Sequence, residues 1–291
     1  IEELQPDLLI TFGLSVISKN LKLFLRKHRA MQHWHILEAG PAADPFQSLT
    51  CIIHSDEESF FEGIFVDACK NSARISYYAS WQSADQNARM QLCSFFKNQH
   101  PFNEFSALFR TLDKIPDQVI LHLANSMTVR YANYLGLEKS NIEVYCNRGT
   151  SGIDGIVSTA IGAAMTTDKI VTVISGDMAF FYDRNAFWNN YLPTNLRIVL
   201  LNNHSGGIFR IIDGPNKQPE LEEYFETYQP LTASSLSKEF DFEYILVNNY
   251  KTLDDSLPGF FAASEKIKIL EVESNSKTNT EVFHQFKNFI K

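Results

Sequence analysis

The sequence is poor in cysteine, and the four it has, Cys51, Cys69, Cys93 and Cys146, are scattered. They form no CxxC pair, and no histidine stands at zinc-ligand spacing, which removes the zinc-module and disulfide-framework classes. What remains is buried thiols in a reducing compartment, and so an expected cytoplasmic setting. No stretch comes near the ~20 consecutive apolar residues of a membrane span, so no membrane partner is expected. Positive charge is not in excess either: 26 Lys and Arg stand against 34 Asp and Glu, a formal net charge of -8. Sequence-independent binding to nucleic acid needs a basic face, so that class is excluded. An acidic chain can still hold an anion where backbone amides and a metal ion do the work. Internal repeats and low-complexity tracts are absent too. The opening residues, Ile1-Glu2-Glu3-Leu4, resemble neither an initiator methionine nor a signal peptide. They read as a cut just ahead of a strand, and a fragment of a longer protein is the expectation.

What is present is a globular composition, 44% hydrophobic over 291 residues, enough for one large domain or two ordinary ones. Residues Asp7 to Gly13 form an apolar run closed by glycine, the pattern of a parallel strand buried on both faces. Leu21, Phe24 and Leu25 follow at helical spacing, and His33 to Glu38 reads as a second strand. Strand, helix and strand with short connections predict a βαβ unit. Ile52 to His54 is a candidate third strand and Ser59 to Lys70 a helix. The polar, aromatic stretch between Ser72 and Pro101 lacks linker composition and is read as a connecting helix. Beyond it, strands are expected at 119–123, 143–145, 169–175, 197–201 and 268–272. Helices are expected at 154–165 and 183–191, with an amphipathic one at the C-terminus. Asn125 and Ser126 are expected to cap a further helix. The fold class is α/β, doubly wound parallel sheets with helices on both faces.

Ligands of such sheets sit outside the carboxyl ends of the strands. Gly176-Asp177 directly follows one strand and Asn202-Asn203 directly follows another, with a helix between them, so both pairs are expected on one rim. A carboxylate oxygen, an amide oxygen and a backbone carbonyl make a donor set suited to Mg2+, which leaves places for phosphate oxygens. Gly176 would permit a sharp turn, and the following helix N-terminus would favour a diphosphate. Either pair alone is more often a helix cap or a turn.

Taken together, Gly176-Asp177 and Asn202-Asn203 resemble the diphosphate–Mg2+ motif of thiamine-diphosphate enzymes, with Met178 where glycine is usual. Three segments are similar to one branch, the 2-succinyl-5-enolpyruvyl-6-hydroxy-3-cyclohexene-1-carboxylate (SEPHCHC) synthases of menaquinone biosynthesis. Asn147 to Gly155 matches NRG-x-SGIDG, Asn125 to Arg130 matches NS-x-x-x-R, and Asn202 to Phe209 matches NN-x-x-GGIF. The motif likeness is concentrated between residues 120 and 215, and is expected to thin before about 115 and after about 220.

The resemblance implies a transferase that uses thiamine diphosphate and Mg2+, with Mn2+ as an alternative. It implies decarboxylation of 2-oxoglutarate and addition of the succinyl-semialdehyde carbanion to isochorismate, with the cofactor as electron sink. Residues 1–100 would be part of a Rossmann-like central domain with its connecting helix, and 101–291 the diphosphate-binding domain. Asp177, Asn203 and the Ser205 carbonyl would ligate the metal. Gly176, Met178, Ala179 and Ile153 would contact the cofactor, with Ile153 beneath it. Arg130 and Arg148 would grip substrate carboxylates bidentately, helped by Asn125 and Ser126. Ile208, Phe209 and Ile212 would form an apolar wall. Lys19 keeps the first position of a Lys-Arg pair that the family presents to its active site, while Asn20 replaces the second. His204 reads as a variable loop residue. The activating glutamate would lie in a pyrimidine-binding domain of another subunit, so the fragment alone is expected to be inactive and the full-length protein a homodimer or tetramer. Competing readings are a 2-oxoacid decarboxylase or acetohydroxyacid synthase, which would lack NRG-x-SGIDG, a non-catalytic binding module, and an unrelated Mg2+-phosphate enzyme.

Overall fold

The computed structural model describes residues 2–64 and 72–290. It divides into two units, Ile1–Cys93 and Ser94–Lys291. In the first, strands β1 (Leu8–Thr11), β2 (Gln32–Ile36) and β3 (Cys51–Ile53) form a parallel sheet in the order β1-β2-β3. Helix α1 (Lys19–Lys27) connects β1 to β2, capped by Ser18, whose hydroxyl accepts from the Leu21 amide. The βαβ unit is therefore where the apolar spacing put it. Burial on both faces is not: Leu8 and Phe12 are exposed, and none of the four β1 residues is fully buried. Helix α2 runs over Glu57–Ile64, and the rest of the helix expected to reach Lys70 lies outside the described residues, as does Cys69. Helix α3 (Ser72–Lys97) is the long polar helix expected there, and it runs across the division between the units.

The second unit carries helix α4 (Glu104–Lys114), strand β4 (Ile120–Leu123), helix α5 (Met127–Leu135), strand β5 (Glu143–Cys146), helix α6 (Ile156–Ala164) and strand β6 (Val171–Gly176). Helix α7 (Asp177–Tyr182), strand β7 (Leu196–Asn202), helix α8 (Ala233–Glu239), strand β8 (Glu243–Val247), helix α9 (Tyr250–Phe261), strand β9 (Lys268–Glu273) and helix α10 (Ser276–Phe289) complete it. All six strands are parallel, in the order β5-β4-β6-β7-β9-β8. The α/β class with parallel-only sheets is thus as the sequence predicted. The helix expected over 183–191 is instead α7, earlier in the chain, followed by one short 3-10 turn at Arg184–Phe187.

Strand parity explains the layers, because successive side chains face opposite sides of a sheet. On β7, Leu196, Ile198 and Leu200 enter a core with Ile156, Val157, Ala160 and Phe180 from α6 and α7. Val199 and Leu201, equally buried, face the opposite layer. That layer includes α4, α9 and α10, which contact one another through α4. Its aromatic centre is Phe105, fully buried among Phe96, Tyr131, Phe283 and Phe286 with ring centroids 4.8–5.3 Å away. Among the described residues no helix is long and apolar enough to cross a membrane.

Truncating Phe105 to alanine leaves a cavity in that layer, and a loss of about 3–5 kcal/mol is expected. Urea unfolding monitored by circular dichroism measures it; a loss under about 1 kcal/mol would mean that the layer closes over the gap.

Candidate functional site

The β6–β7 pairing sets the site. Gly176 lies opposite Leu201 in register, so the residues after each strand emerge on one rim. A cavity of about 610 Å³ opens there, and most of its walls come from the segments that follow four strands, with Glu104 from the start of α4 beside them. After β4 come Asn125, Ser126 and Arg130; after β5, Arg148 and Ile153. After β6 come Gly176, Asp177, Met178 and Ala179, and after β7, Asn203, Ser205, Ile208, Phe209 and Ile212. Every site residue expected from residues 120–215 is in this one cavity. Lys19 is not among them: it lies exposed at the start of α1, in the first unit.

One end of the cavity is rich in oxygen. Asp177 is only 2% exposed. Its Oδ1 accepts from the Met178 amide and its Oδ2 from Gln229 Nε2, both at 2.8 Å. Burial pushes its carboxyl up to about 6, while the Gln229 and Met178 hydrogen bonds pull the other way. Asn203 Nδ2 donates to Glu104 Oε1 at 2.6 Å, and Ser205 Oγ donates to Asn203 Oδ1 at 2.9 Å. Glu104 is as buried as Asp177, and burial, with Asp177 adding to the effect, drives its carboxyl up to about 8. Two buried carboxyls thus share one wall, and no Lys or Arg among the described residues pairs with either. Buried charge without a partner is costly, and a divalent cation would relieve it. Asp177, the Asn203 amide oxygen and the Ser205 carbonyl each keep a free lone pair, so the donor set fits a hard cation.

The reason first given for Gly176 does not hold. Its φ of -73° is open to any residue. A Cβ there would meet nothing within 4 Å, so glycine instead leaves bare backbone facing the cavity. Gly207 does have a steric reason: a Cβ would come within 3.3 Å of Asn203 Nδ2.

The other end is cationic. Arg130 Nη1 donates to the Ser126 carbonyl and Arg148 Nη1 to Asn125 Oδ1, both at 2.6 Å. Asn125 Nδ2 in turn donates to the Ser151 carbonyl. The expected capping of α5 by these two residues is therefore corrected: Ser126 occupies the cap position with φ 76°, and its side chain makes no cap hydrogen bond. Asn125 is spent on Arg148 and Ser151 instead. Burial, then the neighbouring Arg148, lowers the Arg130 pKa. No carboxylate among the described residues pairs with either guanidinium, so both can receive one from outside. Met178, Ile208, Phe209 and Ile212 add apolar side chains to the lining.

The far wall was not anticipated. Tyr224, Phe225 and Thr227 line it, on or just after a π-helical turn at Leu221–Glu226. Arg210 straps that turn, with Nη2 at 2.5 Å from Glu226 and 2.7 Å from Glu222. Glu226 also accepts from Ser276 Oγ at 2.5 Å. Glu104 was missed because Asn103-Glu104 reads as ordinary helix-cap chemistry, and Asn103 does cap α4. Gln229 lies in a polar stretch with no motif to mark it. His204 adopts φ 60° and bonds to the Gln229 carbonyl, which holds the turn between Asn203 and Ser205.

Both carboxyls are raised above their unfolded values. The stability tied to their protonated forms is therefore complete below about pH 4 and lost as pH climbs through each folded pKa. For the metal-free protein that means destabilisation through about 6 for Asp177 and on through about 8 for Glu104. Asp177→Asn is expected to flatten the lower limb, a difference of roughly 3 kcal/mol between its two ends. Melting temperatures across this range test it, and identical profiles for the two proteins would contradict it.

No protein-family model matches the chain. Individual proteins do. The SEPHCHC synthase of Cytophaga hutchinsonii is 48% identical over 290 residues, covering 100% of this chain and 51% of that protein. Those of Christiangramia forsetii (40% identical, 99% of this chain, 49% of the relative) and Flavobacterium psychrophilum (42%, 98% and 51%) are similar to it as well. The matched region extends beyond residues 115–220 to nearly the whole chain, which spans about half the length of these relatives. Over nearly its whole length, the chain is thus similar to about half of a 2-succinyl-5-enolpyruvyl-6-hydroxy-3-cyclohexene-1-carboxylate synthase.

Proposed function

We propose that this chain supplies the metal- and diphosphate-holding part of a SEPHCHC synthase active site, acting in menaquinone biosynthesis on 2-oxoglutarate and isochorismate. The observation that carries the reading is the polarity of one cavity: unpaired buried carboxyls and amide oxygen at one end, two unpaired guanidinium groups at the other. Such a cavity suits a ligand set that is cationic at one end and carboxylate at the other.

Asp177, Asn203 and the Ser205 carbonyl would hold Mg2+, or Mn2+ in its place, and Gly176, Met178 and Ala179 would lie along the diphosphate of thiamine diphosphate. When bound, that cofactor supplies the electron sink that decarboxylation of a 2-oxo acid requires. The chain's own residues do the rest of the work assigned here. Arg130 and Arg148 fix substrate carboxylates, and their anchors, the Ser126 carbonyl and Asn125, hold the guanidinium planes in place. Ile208, Phe209 and Ile212 keep water from the carbon chain between. Ile153, 39% exposed at the cavity edge, is free to support a ring placed over it. With residues 1–100 in the central domain and 101–291 in the diphosphate-binding domain, the chain alone would not turn over. The full-length protein would work in the cytoplasm as a homodimer or tetramer.

The test is isochorismate consumption by the full-length protein with 2-oxoglutarate, Mg2+ and thiamine diphosphate, and without each in turn. Consumption that needs all three is expected. Asp177→Ala should abolish it, and Arg148→Ala should lower kcat/KM roughly 10- to 100-fold, the worth of a charge-assisted hydrogen bond. Decarboxylation of 2-oxo acids with isochorismate left untouched would refute the SEPHCHC assignment.

A further inference from the structure

We propose that Glu104 is a positioning residue for the metal end of the site: its carboxylate takes an Nδ2 hydrogen of Asn203 and so turns Asn203 Oδ1 toward the cation. This rests on the metal reading above. A side-chain amide has two ends of nearly equal shape and opposite chemistry, and only the oxygen can ligate. Something must therefore choose between the two orientations. Glu104 Oε1, 2.6 Å from Asn203 Nδ2, accepts its hydrogen and so holds the nitrogen end of the amide on the α4 side. Ser205 Oγ lies 2.9 Å from Asn203 Oδ1 and 3.3 Å from Glu226 Oε1; a hydroxyl can donate or accept, so the carboxyl of Glu104 is the partner that discriminates between the amide's two ends. Gly207 leaves the amide the room it occupies.

Glu104 is itself held by a closed hydrogen-bond circuit. It opens α4, and its backbone N–H donates to Asn279 Oδ1 at 3.0 Å. Asn279 Nδ2 donates to Ser274 Oγ at 2.9 Å, and the Ser274 amide donates to the Asn202 carbonyl at 2.9 Å. The circuit thus starts and ends at neighbouring residues of the β7 terminus, and a residue far away in sequence is locked onto a ligand. A purely structural role fits poorly. A buried carboxylate close to a second one costs stability, and a neutral side chain of the same shape would avoid that cost. Groups that orient metal ligands in this way are typically worth about 10- to 100-fold in metal affinity.

The experiment is calorimetric titration of Mg2+ into full-length protein saturated with thiamine diphosphate, for the parent and Glu104→Gln, each with Asn203 and in the Asn203→Asp background. An aspartate has two equivalent oxygens and needs no orientation. The expected result is a Mg2+ affinity at least tenfold weaker for Glu104→Gln with Asn203 in place, and no loss in the Asn203→Asp background. The metal-free melting temperature should be unchanged or higher. Should Glu104→Gln fail to fold, Glu104→Met, uncharged and close in shape, carries the same comparison. An equal loss in both backgrounds would show that charge alone acts and would overturn the orienting role, as would an affinity within twofold of the parent. Cofactor binding by the parent that ignores Mg2+ would instead overturn the metal reading itself, and this inference with it.

Discussion

The parallel pairing of β6 with β7 is the constraint on which the rest of the second unit depends. With Gly176 opposite Leu201, Asp177 and Asn203 leave the sheet side by side. A slip of one residue would exchange the faces of the whole strand, sending Leu196, Ile198 and Leu200 out of their core. The apolar layers on both sides therefore hold the register, and the register holds Asp177 and Asn203 together on one rim. Chemistry at the rim is in this sense a by-product of packing below it.

The rim also carries a polar network that the layers alone do not specify. Glu271, fully buried in β9, accepts from Asn202 Nδ2 at 2.6 Å, from the Ala233 amide and from Tyr244 Oη. Asn202 Oδ1 accepts from the His204 amide and from Gln229 Nε2, and Gln229 reaches Asp177. A continuous hydrogen-bonded path thus runs from the middle of the sheet to the cavity. Each member fixes the next, as buried polar groups must if they are to be satisfied. The cavity end of that path carries two buried carboxyls that no Lys or Arg among the described residues pairs with, and burial raises the pKa of both.

Much of this was legible in the sequence. Strong β-branched runs gave β6 and β7, and the residues immediately after them gave Asp177 and Asn203, because strand ends are where an α/β sheet places ligands. NRG-x-SGIDG marked Arg148 and Ile153. What stayed hidden has physical reasons. Helix α7 begins within the Gly-Asp pair and is too short to show a period, so the helix was placed several residues late. Glu104 enters the cavity only through tertiary packing of α4, and no local pattern separates it from a cap residue. Strand β8 and helix α9 were not anticipated; β8 is an edge strand with only one of its five residues fully buried, which leaves little apolar signal. Asn125 and Ser126 look like a cap and are diverted by Arg148 and Arg130.

Apart from Glu104, the cavity's walls are built mainly by the tails of four different strands, and this has a consequence for how such a site can change. The sheet fixes where each tail begins but not what it carries, so the tails behave as separable modules. Substitutions confined to the tail of β7, such as at Ile212, alter one wall without disturbing the pairing that places Arg148 or Asp177. Such a scaffold can change the shape of one wall of the cavity while its charged groups stay where they are.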